Sequence, residues 1–119
     1  MQDRLRALLQ ARAREGRFAT YKELADALGL EPPHTIHRLT RALEALMRDD
    51  VAAHRPLLAA LCVSRQGHGL PARGFFEVAR ALGAFTGDAE GPEAREFHAR
   101  ESRRAMDFHG RRADGSGAP

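Results

Sequence analysis

Between Thr20 and Leu43 the chain reads TYKELADALGLEPPHTIHRLTRAL, and the glycine and paired prolines inside it restrict folding more than any other stretch. Thr20 followed by Glu23 is a capping box: the threonine hydroxyl accepts from a backbone N–H while the glutamate reaches back to the N-cap. A helix started there buries Leu24, Ala25 and Leu28 and stops at Gly29. Glu31-Pro32-Pro33 then interrupts, because proline fits the first turn of a helix and poorly anywhere deeper. The next helix is predicted from about Pro33 to Asp49. At about 100° per residue, Ile36, Leu39, Leu43, Leu46 and Met47 share one arc. His34, Arg38 and Arg41 fall opposite, with His37 beside them, so one face reads as core and the other as basic.

Flanking segments follow the same periodicity. Leu5, Leu8, Leu9 and Arg12 form a stripe on an amphipathic helix over Asp3–Arg14, with Gly16 as its stop. PLLAALCV, Pro56–Val63, is a short apolar run that suits a buried strand or a helical turn. In SRQGHG, Gly67 and Gly69 permit a tight reversal, which makes a small β-hairpin of this region. Phe75, Val78, Ala79 and Leu82 have helical spacing up to Gly83. Residues 84–92 read as a linker loop, and Pro92 to about His109 as a final helix with Phe97, Ala105 and Phe108 as apolar contacts. The tail from 110 to 119 is small and polar and is expected to be disordered.

A length of 119 residues is that of one domain able to bury a core without metal or disulfide. Cys62 stands alone, which leaves no internal disulfide. The charged opening has no apolar stretch of signal-peptide length, and nothing approaches a membrane span, so a cytoplasmic chain with no membrane partner is the expectation. Arginine supplies 18 of the 19 basic residues, a skew that a GC-rich genome accounts for without function. Residues 1–83 carry a net charge of +4 and residues 84–119 a net of −1, so the basic excess accompanies the two-helix segment.

Those two helices have the form of a helix-turn-helix, which lays its second helix in the DNA major groove. Ala25 supplies the small residue where the helices cross, Gly29 opens the turn, and Leu30, Ile36 and Leu39 pin the second helix. Thr35, His37, Arg38 and Arg41 can donate to phosphates or base edges, and no acid shares the first two turns of their face. Arg65, His68 and Arg73 flank the predicted hairpin, which reads equally as a DNA-contacting wing or an exposed loop. The competing structure for the whole segment is a plain helical hairpin with a solvated charged face.

Other chemistry lacks a carrier. His34 and His37 sit three apart, but neither C-x-x-C nor H-E-x-x-H occurs, so no metal or other cofactor is expected. Cys62 lies in an apolar run, where a thiol is inert packing. Ser64 and Ser102 lack a base, and no phosphate-binding G-x-x-x-x-G-K-[ST] is present.

Thr20-Tyr21-Lys22-Glu23-Leu24-Ala25, the 33–49 helix, Pro56–Val63, Gly67–Gly69 and Phe75–Leu82 occur in an order that resembles the DNA-binding domain of the alkylguanine-DNA alkyltransferase and alkyltransferase-like family. The likeness covers about half the chain and is specific at T-Y-K-E-L-A. It implies a winged helix in which Tyr21 contacts DNA near a damaged nucleotide. His34 stands roughly where that family has an arginine that fills the vacated base position. The family's Pro-Cys-His-Arg motif is absent, since Leu57-Leu58-Ala59 follows Pro56, and Cys62 is displaced from the alkyl-acceptor position. Repair activity is therefore not implied.

The expectation is a single domain over 1–109, mainly α with a small β-hairpin. Its winged helix-turn-helix core spans 17–83, with an additional helix at each end. Its expected function is non-catalytic binding of double-stranded DNA, regulation of transcription being the common use of such a module. Tyr21, His34, Thr35, His37, Arg38, Arg41, Arg65, His68 and Arg73 would make the contacts. The alternative is a protein-interaction module or accessory subunit without nucleic-acid binding, using Phe97, Phe108 or the first helix's leucines. Two-fold operators would require a homodimer, for which the terminal helices are the candidate surface.

Overall fold

A computed structural model of the protein describes residues 1–65 and 68–113, the last three as helical backbone only. The chain is mainly helical with one small parallel sheet. Helix α1 spans Gln2–Glu15 and ends at Gly16, whose φ of 67° is the left-handed conformation that favours glycine. Strand β1, Ala19–Thr20, leads directly into α2, Tyr21–Ala27. Both halves of the capping box are formed: Glu23 N–H donates to the Thr20 hydroxyl at 3.1 Å, and Thr20 N–H donates to the Glu23 carboxylate at 2.8 Å. Leu24, Ala25 and Leu28 are buried as expected, and Gly29 turns the chain at φ 69°.

Helix α3 runs from Thr35 to Ala52, two residues later at its start and three later at its end than the expected bounds. His34 is not on the helix. It occupies the N-cap in the left-handed region, φ 62°, so its side chain leaves the chain before helical periodicity begins. Leu39, Leu43, Leu46 and Met47 are buried, but Ile36 is 50% exposed. Ile36 has the core's angle on the helix but stands in its first turn, where it borders a groove beside Tyr21 and Arg65.

The centre of the molecule is Leu57–Cys62, every residue of which is buried. Leu58–Leu61 forms a 3₁₀ turn and Cys62–Val63 forms β2, so both readings of the apolar run apply to different parts of it. The expected antiparallel hairpin is replaced by a parallel pairing, Ala19 with Cys62 and Thr20 with Val63. The partner of β2 is thus the strand before α2 rather than the segment after the turn. That turn still closes on itself, with Ser64 N–H donating to Leu70 O at 2.8 Å, while Gly67 lies outside the described residues.

Helix α4 is Arg73–Ala81, and α5 is Pro92–Ala113, four residues longer than expected; of the expected tail, 110–113 is helical and 114–119 lies outside the described residues. Helices α1, α3 and α5 enclose the central segment, and α1 packs along α5. Phe75 and Phe76 of α4 meet Phe97 of α5 and Phe85, with ring centroids 4.9 to 6.2 Å apart across the cluster. Phe85 anchors the 84–92 loop, which the sequence reading passed over as linker. One apolar cluster runs from Leu5 to Phe97. Leu5, Leu9 and Phe97 are consumed within it, so those residues offer no surface to a second copy or another partner.

Buried polar groups secure the centre. Asp50, 1% exposed, accepts from Arg6 at 2.9 Å, from Arg55 at 3.1 Å and from the backbone N–H of Leu58 at 3.1 Å. Glu101 accepts from Leu57 N–H at 2.8 Å and pairs with Arg104. The His98 ring Nε2 lies 2.8 Å from Ala60 O, and Ser102 donates its hydroxyl to His98 O. Backbone that would otherwise be buried without partners is thereby satisfied.

Candidate nucleic-acid interface

Helix α3 turns one face outward. His37, Arg38, Arg41 and Arg48 are exposed on it, while Thr35 is half-buried in its first turn. Arg41 and Arg48 lie two turns apart with His37 one turn before them, and none of the three has an acidic partner among the described residues. Most other arginines are spent internally. Arg4 caps the end of α2 by donating to Ala27 O and Leu28 O, Arg12 donates to Phe18 O at 2.6 Å, and Arg6 and Arg55 hold Asp50. Arg48 was not among the predicted contacts, although its position seven residues after Arg41 puts it on the same face.

The predicted contact residues divide into separate groups. Tyr21 and Arg65 meet Lys22, Ile36, Thr40, Ser64 and Ala72 around a groove of about 420 Å³ beside α3. His34 and Arg38 line an open hollow of about 560 Å³ at the α2–α3 turn, where Arg38 donates to Glu31 O. His68 faces away from α3, toward α5. Arg73 is held by Glu90 at 2.9 Å and Glu77 at 3.7 Å, so its charge is already answered within the chain.

Tyr21 is a strut. Its hydroxyl accepts from Ala72 N–H at 3.1 Å, joining the start of α2 to the approach to α4. Burial raises its pKa to about 12, assisted by Cys62 and opposed by the Ala72 bond. Burial also pushes the Cys62 thiol far up, against the lowering effect of Tyr21, which keeps it protonated and poorly nucleophilic. Glu23 has its pKa lowered, first by the Thr20 backbone N–H and then by Arg12 and Arg17. His98 has its pKa lowered by burial, partly offset by Ala60 O.

The buried polar residues Asp50, Glu101, His98 and Ser102 were missed by the sequence reading, but the pattern held a signal for them. Asp50 continues the Leu43–Leu46–Met47 stripe, and Glu101 falls one turn from both Phe97 and Ala105. A polar residue on an apolar stripe is a buried group requiring partners. Among the described residues no group of three His, Cys, Asp or Glu is arranged to hold a metal ion, and no helix is long and apolar enough to cross a membrane. Comparison with protein-family models, curated proteins and solved structures gives no match to this chain.

Proposed function

We propose that this protein binds double-stranded DNA without catalysing a reaction, using α3 as the element that enters the major groove. One observation carries the reading: His37, Arg41 and Arg48 are exposed along one face of α3, and although Glu44 stands between the two arginines on that face, no ion pair joins it to either among the described residues. Two arginines aligned along one helix suit a phosphate-lined groove, and their guanidinium groups suit guanine edges as well. Arg65, across the groove beside Ile36, adds a cation where the chain leaves β2. Thr35 and the free donors of Arg38 complete the contact set at the start of the helix. Tyr21 and Arg73 drop out of it, because both are bonded within the fold. A role in regulating transcription is compatible with this mode of binding.

Titration of a mixed-sequence duplex at several salt concentrations tests the proposal. Contact with about four phosphates gives a log–log slope near −3.6. Arg41→Ala/Arg48→Ala removes two of them and makes the slope shallower by about 2. A folded wild-type chain that fails to bind duplex at low salt ends the proposal and favours the protein-interaction reading, for which Ile36 and Phe18 are exposed apolar contacts.

A further inference from the structure

A second groove, of about 520 Å³, lies on the other side of the Ser64–Leu70 turn, between that turn, the end of α1 and the outer face of α5. Arg95 and Arg103 project from α5, His68 comes from the turn, and Phe18 stands at the edge with 42% of its surface exposed. Among the described residues no acid lines it. Neither arginine has an acidic partner among the described residues, although Glu96 and Asp107 lie on adjoining positions of the helix. Ala99 and Met106 lie between and beside the cations, and the buried polar residues His98 and Ser102 also line the groove.

We infer that this groove binds single-stranded nucleic acid, with phosphates on Arg95 and Arg103 and a base stacked on Phe18. Eight residues of α-helix separate the two arginines by about 12 Å along the axis, which is enough to follow a backbone through more than one phosphate. Ala99 midway leaves the path between them unobstructed. A positively charged track combined with an exposed aromatic is the arrangement that holds single strands without reading sequence. Phe18 is held in place for that purpose: its carbonyl accepts from Arg12, and its ring lies 5.7 Å from the His98 ring. An acidic peptide would use the arginines equally well but would leave the phenylalanine without a role. The site is separate from the α3 face and does not depend on it.

The test is fluorescence anisotropy of a short labelled oligothymidine with the full chain and with Arg95→Ala/Arg103→Ala, Phe18→Leu and Phe18→Trp. Wild type binds with a salt dependence that the arginine pair makes shallower by about 1.4 in log–log slope. Phe18→Leu keeps apolar packing against His98 but weakens binding at least about fivefold, and Phe18→Trp restores it. Arg41→Ala/Arg48→Ala leaves this binding unchanged, which separates it from duplex binding through α3. No binding of the oligonucleotide at low salt overturns the inference. So does equal affinity for polyglutamate, which assigns the groove to acidic peptides, or full competition by thymidine monophosphate, which makes it a mononucleotide pocket. Indifference to Phe18→Leu with loss on arginine removal reduces the groove to an unspecific polyanion patch and also overturns it.

Discussion

Asp50 holds three donors with one buried carboxylate: two guanidinium groups from α1 and from the loop after α3, and the backbone N–H that starts the 3₁₀ turn. Asp50→Ala leaves Leu58 N–H buried without an acceptor and two arginines without a counter-charge. Because both arginines retain access to water, the expected cost is about 3 kcal/mol, at the low end for breaking a buried pair. Asp50→Asn costs less, since its amide oxygen still accepts from Leu58. Urea unfolding of the two variants checks the order, and equal losses would contradict it. His98 supplies a pH dependence of known sign. Burial lowers its folded pKa, so the unfolded chain takes up that proton at higher pH than the folded one. Its contribution to stability is full above about pH 6.5 and falls as pH drops through that value toward the lowered folded pKa. Wild type should therefore lose stability between neutral and mildly acidic pH, and His98→Gln should flatten that limb despite lower stability overall. An undiminished limb in the variant would assign the titration to another group.

At the scale of elements, Tyr21 separates a structural role from a recognition role. Tyr21→Phe removes the acceptor for Ala72 N–H, at an expected cost of about 1 kcal/mol in chemical unfolding. Duplex affinity should not change. Unaltered stability with weakened binding would return Tyr21 to the DNA-contact role that the T-Y-K-E-L-A resemblance implied. The local signals around it were readable because each is short-range: Gly16, the Thr20–Glu23 capping box, Gly29 and Gly83 delimit their helices as expected. The pairing of β2 was not readable. A two-residue strand carries no alternation, and its choice of Ala19–Thr20 as partner depends on contacts 43 residues apart in sequence. Ile36 failed for a related reason, since helical periodicity gives the direction of a side chain but not whether a neighbour reaches that height.

Over the whole molecule, charge is distributed differently from the sequence totals. Arginines that look alike in sequence serve as clamps on α1, as counter-ions to Asp50 and as unpaired surface groups on α3 and α5. The α3 face was largely legible, because an exposed helical face follows from the same wheel that defines its core. The α5 groove was not, because Phe18, His68, Arg95 and Arg103 converge only after α1 and α5 pack together. Whether α3 faces the DNA is decided by backbone amide chemical shifts recorded while a mixed-sequence duplex is added. Changes should concentrate at Thr35–Arg48 and Arg65, with α1 and the Phe75–Phe97 cluster undisturbed. Changes centred on the α1–α5 side, with α3 silent, would contradict it.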